Sequence, residues 1–273
     1  MKVAIIGGTG FIGRNLQKSF NNPLIISSKN FHEVEKIKNY DVVINLAGKP
    51  IVKRWNESYK KELFYSRIET TKKIVEIINN SNVKHFISAS AIGFYKNPCI
   101  CDETSPLGEG FLSKLAFEWE REALKCEKLT TIFRFSVVLG RDGGALKEML
   151  LPFKLGLGGI IGDGKQKFSW IDIKDVISIY KFVIENKIEG ILNISSLNSV
   201  TNYEFTKTLG KVWNRPTILP MPKIILKLLF GEASIVLLSN QDMKPKRLLE
   251  LGYNFEYSNL EKSLRSLVWK QCF

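Results

Sequence analysis

Gly7-Gly8-Thr9-Gly10-Phe11-Ile12-Gly13 follows the apolar run Val3–Ile6 and opens a segment, Phe11–Phe20, whose pattern predicts a helix. Strand, glycine turn and helix in that order form the context a dinucleotide fingerprint requires. Glycines let the turn tighten and let backbone approach a pyrophosphate. The helix start supplies unpaired N–H groups and a partial positive charge, and a last glycine lets the helix lie close on the sheet. Gly7, Thr9, Gly10, Phe11, Ile12 and Gly13 are therefore candidate cofactor-binding residues.

Outward from this loop the chain alternates short apolar runs with amphipathic ones. Leu24–Ile26, Val42–Leu46, His85–Ser88, Thr131–Phe135 and Ile191–Ile194 read as strands. Phe31–Asn39, Asn56–Asn79, Phe111–Cys126 and Val176–Glu185 read as helices. Such alternation predicts an α/β fold, a Rossmann-type doubly wound parallel sheet covered on both faces. Only residues 28–40 separate the second strand from the third, room for one helix and no further strand. The sheet is expected to lack an outer strand there, leaving the adenine side of the crevice open, with Phe31 or His32 beside it. After Leu139 the composition changes. Residues 141–164 are glycine-rich, and beyond Ile194 short helical stretches are separated by Pro216, Pro220, Pro222 and Pro245. Residues 1–140 and 166–195 are expected to form the cofactor-binding domain. Residues 141–165 and 196–273 are expected to form a small, mostly helical substrate-side domain.

The 273 residues are 44% hydrophobic and 25% charged, which excludes a disordered chain. Forty Lys and Arg against 27 Asp and Glu leave a net charge of +13. That excess suits nucleic acid, a membrane surface or an anionic small molecule, but no groove-reading or RNA-binding signature accompanies it. The stretch Met221–Ser239 is interrupted by Lys223, Lys227 and Glu232, too charged for a spanning helix. Cys99, Cys101, Cys126 and Cys272 fit a reduced, cytoplasmic context, and no second Cys/His cluster completes a metal site. The expected partner is a small, anionic substrate, with no nucleic acid and no membrane, the protein being a monomer or homodimer.

The second strand ends Ser27-Ser28-Lys29, without the carboxylate that would bind the 2′-hydroxyl of NAD. The hydroxyl of Ser28 and the ammonium of Lys29 suit a 2′-phosphate, so NADP(H) is favoured over NAD(H). The Gly-x-x-Gly-x-x-Gly spacing, with Asn45-Leu46-Ala47-Gly48 ending the third strand, resembles the extended short-chain dehydrogenases/reductases. An ordered series narrows this: Gly48-Lys49-Pro50-Ile51, Lys53-Arg54-Trp55-Asn56, Ser66-Arg67-Ile68-Glu69-Thr70-Thr71, Ile161-Gly162-Asp163-Gly164, Trp170-Ile171-Asp172-Ile173-Lys174-Asp175 and Thr201-Asn202-Tyr203-Glu204-Phe205. Nearly the whole chain is similar to the YfcH-like family of atypical extended short-chain reductases, often labelled nucleoside-diphosphate-sugar epimerase-like. The resemblance implies that Leu46, Ala47 and Gly48 line the cofactor, and that Ser88 and Val138 approach it from later strands. It also implies that Arg67 stands where extended members usually carry a cofactor-facing Asn. Glu62, earlier on the same predicted helix, would orient Arg67 or accept from a ribose.

The superfamily's chemistry uses a tyrosine acid/base with a lysine four residues on. Here Phe111 stands near the tyrosine position and residue 115 is Leu. Lys114 follows Phe111 by three residues. Tyr95 and Ser90, near the end of the fourth strand, and Lys114 are the substitute catalytic candidates. Lys53 and Arg54 are candidates for an anionic substrate, and Trp55 for stacking on a ring. Two readings stay open. One is an NADP(H)-dependent oxidoreductase or nucleotide-sugar epimerase of unknown substrate. The other is a catalytically silent NADP(H)-binding sensor or scaffold.

Overall fold

A computed structural model describes residues 1–268. Among the described residues the strands are β1 (Val3–Ile6), β2 (Leu24–Ile26), β3 (Val42–Asn45), β4 (His85–Ala91), β5 (Cys99–Cys101), β6 (Leu129–Phe135), β7 (Val137–Leu139), β8 (Lys167–Phe168), β9 (Trp170–Asp172), β10 (Gly190–Ile194), β11 (Val200–Thr201) and β12 (Gln241–Met243). The helices are α1 (Phe11–Leu16), α2 (Glu57–Tyr65), α3 (Ile68–Asn79), α4 (Gly110–Ala123), α5 (Gly144–Lys154), α6 (Ile173–Glu185), α7 (Asn202–Trp213), α8 (Lys223–Phe230), α9 (Ser234–Leu238), α10 (Lys246–Glu250) and α11 (Leu260–Val268).

Six strands make one parallel sheet in the order β10-β6-β4-β3-β1-β2. The chain steps from β1 to β2 on one side and then to β3 on the other. That reversal opens a crevice beyond the carboxyl ends of β1 and β3, where ligands of doubly wound sheets bind. β2 is the edge, as the short connection after it predicts: residues Phe31–Asn39 coil as a 3-10 helix that returns the chain to β3. Both faces of the sheet are covered, so its strands are apolar almost throughout. Ile5, Ile44, Ile87 and Phe133 face one core layer, and Ala4, Ile6, Val43 and Ile132 the other.

The long helix expected over Asn56–Asn79 is two helices. α2 ends at Tyr65, α3 begins at Ile68, and Arg67 stands at the break as the α3 N-cap residue. Periodicity could not show the break, because the apolar stripe runs through it: Leu63, Ile68, Thr71, Ile74, Val75 and Ile78 are all buried.

The carboxyl-terminal part is fastened at several places. Asp172 caps α6, accepting from the Lys174 N–H at 2.8 Å, and accepts from Ser263 Oγ at 2.6 Å. Asp175 accepts from the Glu256 and Tyr257 N–H groups, both at 3.0 Å. Thr201 and Glu204 cap α7 reciprocally, a capping box. β12 pairs in parallel with β5, and Gln241 Nε2 donates to the carbonyls of Ile92, Tyr95 and Lys96. Phe205, Leu209, Leu264 and Leu267 join the same apolar core as Ile5 and Phe133. Among the described residues, no helix is long and apolar enough to cross a membrane.

Candidate functional site

The glycine turn sits where β1 meets the crevice. Gly7 has φ +78°, and a Cβ there would lie 2.6 Å from the Leu46 carbonyl oxygen, so the loops after β1 and β3 touch backbone to backbone. At Gly13 a Cβ would fall 2.5 Å from Gly8 Cα, which is what lets α1 lie on the turn. Gly10 differs: its Cβ would meet only the Gly7 carbonyl oxygen, at 3.1 Å. Above Gly10 the turn is therefore open, and α1 starts there with Gly10 as its N-cap. A helix leaves its first N–H groups unbonded, and here they face open space, the fit a pyrophosphate needs. Phe11 contributes backbone at this point. Its ring is packed on Gly140, Gly143 and Gly144, whose Cβ atoms would each fall within 3 Å of it. Arg14 fixes the same junction, bonding the carbonyls of Thr9 and Asp142.

Asn45, at the end of β3, holds the facing loop. It is fully buried, donates to Thr71 Oγ1 at 2.8 Å and accepts from the Ala47 N–H at 3.1 Å. Trp119 Nε1 donates to the same Thr71 oxygen at 3.0 Å. These bonds join β3, α3 and α4 and set the position of Leu46–Gly48. The Asn45 motif is visible in the sequence. Its side-chain partners Thr71 and Ser88, 26 and 43 residues away, are not.

Arg67 projects from the α2–α3 break toward Gly48, with its guanidinium carbon 3.0 Å from where a Gly48 Cβ would stand. Its fork donates to the carbonyls of Lys49 at 2.9 Å and Leu63 at 3.3 Å and lies 5.2 Å from the Trp119 ring. No carboxylate pairs with it among the described residues. Desolvation of this partly buried cation brings its pKa down to about 10. An unneutralised guanidinium beside an open glycine turn favours an anion. The expectation that Glu62 orients Arg67 is corrected. Glu62 is exposed and pairs with the Lys49 ammonium, whereas Arg67 bonds the backbone carbonyls of Lys49 and Leu63.

After β2, Asn30 ties the loop: its Oδ1 accepts from the Ser27 N–H and hydroxyl, and its Nδ2 donates to the Ile25 carbonyl. Ser28 and Lys29 are held at the rim with exposed side chains. Val138 is buried within the β7–β9 pair, and Ser88 is fully buried beside Asn45.

The substitute catalytic residues do not meet in the crevice. Ser90 is buried and donates to Glu120 Oε1. Glu120 holds Arg134 through two bonds of 2.8 Å, and Arg134 Nη1 donates to the Tyr95 hydroxyl at 2.9 Å. Tyr95 in turn donates to Asn193 Oδ1 at 2.6 Å and is 2% exposed. Burial holds its pKa above the ordinary phenol range, against the pull of Arg134. The expectation that Tyr95 and Ser90 face the cleft is thus corrected: each hydroxyl is committed to an interior ion pair. Lys114 is exposed on α4, one position beyond Ser113, whose hydroxyl donates to the Gly93 carbonyl. Trp55 is corrected as well. It is buried edge-on against Phe111, ring centroids 5.2 Å apart, with its Nε1–H on the Ile51 carbonyl. Phe111, near the usual tyrosine position, therefore serves an apolar contact with Trp55, Tyr59 and Ala233. Lys53 lies over the Tyr59 ring and remains exposed, while Arg54 reaches the Leu228 carbonyl at 3.4 Å.

Residues 3–195 match the NAD dependent epimerase/dehydratase family, and residues 221–267 match a domain of unknown function, DUF1731. The epimerase family protein SDR39U1 of Homo sapiens is 36% identical over 292 residues, spanning 98% of this chain and all of that protein. The epimerase family protein YfhF of Bacillus subtilis is 34% identical, spanning 98% of each chain. The crystal structure of human SDR39U1 (isoform 2) with NADPH superposes with a TM-score of 0.89 at 33% identity, covering 98% of this chain and 99% of that one. With its six-stranded parallel sheet and its carboxyl-terminal DUF1731 segment, the chain belongs to the NAD dependent epimerase/dehydratase family, alongside SDR39U1 and YfhF.

Proposed function

We propose that this protein binds NADP(H) in the crevice between the loops after β1 and β3. The observation that carries the reading is Arg67, a guanidinium without a carboxylate partner among the described residues, beside a glycine turn that is open above Gly10. The turn and the start of α1 would receive the pyrophosphate, Arg67 a phosphate or ribose oxygen, and Ser28 with Lys29 the 2′-phosphate. The NADPH in human SDR39U1 supports the choice of cofactor. When bound, the cofactor supplies hydride chemistry, and this chain's residues bind and orient it. A thermal-shift titration tests the reading. NADPH at about 100 times its Kd stabilises a folded protein by ~2.7 kcal/mol, whereas no shift with NADPH or NADH overturns it.

The reaction is of the oxidoreductase or epimerase class on a small anionic substrate, with Lys53, an exposed cation over the Tyr59 ring of α2, a candidate to bind it. A second reading, an NADP(H)-binding sensor without turnover, is favoured by the commitment of Ser90 and Tyr95 to the buried network. Following NADPH absorbance over a panel of carbonyl compounds, with chromatography of nucleotide sugars, separates the two. Turnover of any panel member supports the enzyme, and saturable binding with no product across the panel supports the sensor. In either case the +13 charge serves small anions and a solvated surface. Retention on duplex DNA at physiological salt would count against that assignment. The thiols of Cys99, Cys101 and Cys126, all free, favour a reducing compartment such as the cytoplasm.

A further inference from the structure

The sequence Cys99-Ile100-Cys101 forms strand β5, far from the glycine turn in the chain and unused by the proposed chemistry. Alternate residues of a strand share a face, so the two thiols are on one side and Ile100, 79% exposed, is on the other. The sulfur atoms are 2.8 Å apart. A disulfide bond is about 2.05 Å, so only a small movement separates the two thiols from bonding distance. Their surroundings differ. Cys99 is partly exposed, whereas Cys101 is 2% exposed and packs with Tyr95 and Met243. The hydrogen bond between them holds the Cys99 pKa below, and the Cys101 pKa above, the usual thiol range, with burial adding to the rise at Cys101.

We propose that Cys99 and Cys101 form a peroxide-sensitive dithiol, with Cys99 the attacking thiol and Cys101 the resolving one. The Cys99 thiolate attacks one oxygen of a hydroperoxide. The S–O bond forms as the O–O bond breaks, giving a sulfenic acid on Cys99 and, after proton uptake, water or an alcohol. Cys101 sulfur then attacks the Cys99 sulfur, the S–S bond forms, and the sulfenic oxygen leaves as a second water with the Cys101 proton. Two thiols lose two electrons, and the peroxide gains them. An accessible thiolate beside a resolving cysteine is the arrangement of redox-responsive sites. Closing the bond draws together two Cα atoms that an extended strand holds roughly 6.6–6.8 Å apart, near the upper limit for a disulfide, so β5 must pucker. Its ladder to β12 includes Cys99 N–H to the Asn240 carbonyl and Lys244 N–H to the Cys101 carbonyl, at 3.2 and 2.8 Å. Oxidation at β5 is therefore read at the attachment of the carboxyl-terminal part.

Both thiols lie in one tryptic peptide, residues 97–114. The full-length reduced protein is exposed to a small excess of hydrogen peroxide, alkylated and mapped by mass spectrometry. The expected result is loss of both alkyl groups from that peptide with a mass lower by two hydrogens, while Cys126 stays alkylated. Reduction restores the two alkyl groups. In Cys101→Ser the sulfenic acid on Cys99 persists and is captured by dimedone. Cys99→Ser leaves Cys101 alkylated. Retention of both alkyl groups in the wild type overturns the proposal. So does Cys99 driven to the sulfinic acid with Cys101 still alkylated, or Cys99 joined to any thiol other than Cys101.

Discussion

Arg67 contacts carbonyls and an aromatic ring, with no buried carboxylate that its removal would leave unpaired. Arg67→Met is expected to weaken NADPH and NADH alike, by ten- to a hundredfold, and to move the melting temperature of the free protein by only a few degrees. Titration of each cofactor by calorimetry checks the first part, and a large fall in Tm without ligand would reassign Arg67 to structure. Lys29 acts on a different group. Lys29→Glu should weaken NADPH about tenfold more than NADH, since only one of the two carries the 2′-phosphate, and equal losses would remove Lys29 from the pocket. Gly10→Val would fill the open face of the turn and abolish binding of both cofactors with little change in folding, because the Cβ meets only the Gly7 carbonyl oxygen. Gly10 and Lys29 stand out in the sequence because turn and strand end lie within short stretches of chain, whereas Arg67, with partners at Lys49 and Trp119, stands out only through the family resemblance. Ser90, Tyr95 and Trp55 were not legible. What decides their roles is Glu120, Asn193 and Phe111, 30, 98 and 56 residues away, and no spacing rule reports that a hydroxyl is already committed.

Among the elements, β4 and β6 are joined by more than their ladder. His85 is buried, and its Nε2 lies 2.7 Å from Thr131 Oγ1, whose hydroxyl donates to the Ile188 carbonyl at 2.6 Å. The hydroxyl proton is thus used, so His85 Nε2–H is the donor and the ring is neutral. Desolvation lowers the His85 pKa to about 4 from an ordinary 6.5. As pH falls, the unfolded chain takes up the proton before the folded one does. The stability associated with neutral His85 is complete above pH 6.5 and is lost progressively down to about pH 4. His85→Gln removes this dependence, so its stability curve should be flatter than that of the wild type over that window, by on the order of 3 kcal/mol. Denaturant midpoints at pH 7 and pH 4.5 give the comparison, and parallel curves would refute it. Between β6 and α4 the Arg134–Glu120 pair is buried on both sides, 3% and 4% exposed. Glu120→Ala leaves a buried guanidinium unpaired and should cost about 3–5 kcal/mol, read from the same midpoints. The long central strands were legible as apolar runs between turns. The strands β5, β8, β11 and β12, two or three residues each, have no periodicity to detect, and β5 and β12, partnered more than 140 residues apart, have no local signal either.

In the whole molecule, the edge position of β2 and the 3-10 helix that follows shape the cofactor side, while the ties at Asp172, Asp175 and Gln241 place the carboxyl-terminal part against the sheet. Two of the ordered blocks that mark the family, Trp170–Asp175 and Thr201–Phe205, are such fastenings. Asp172 and Asp175 cap and anchor, and Thr201 and Glu204 start α7, so the resemblance reports architecture more directly than it reports a reaction. Gln241 closes the loop that carries Tyr95 by satisfying three of its carbonyls from a position 146 residues later. This gives the fold an order in time. As the chain leaves the ribosome, the glycine turn and the first strands can assemble early, but the Ile92–Lys96 turn keeps three carbonyls exposed until Gln241 has been made. A nascent chain halted just before Gln241 would carry all six strands of the cofactor sheet with its Tyr95 corner still open to water.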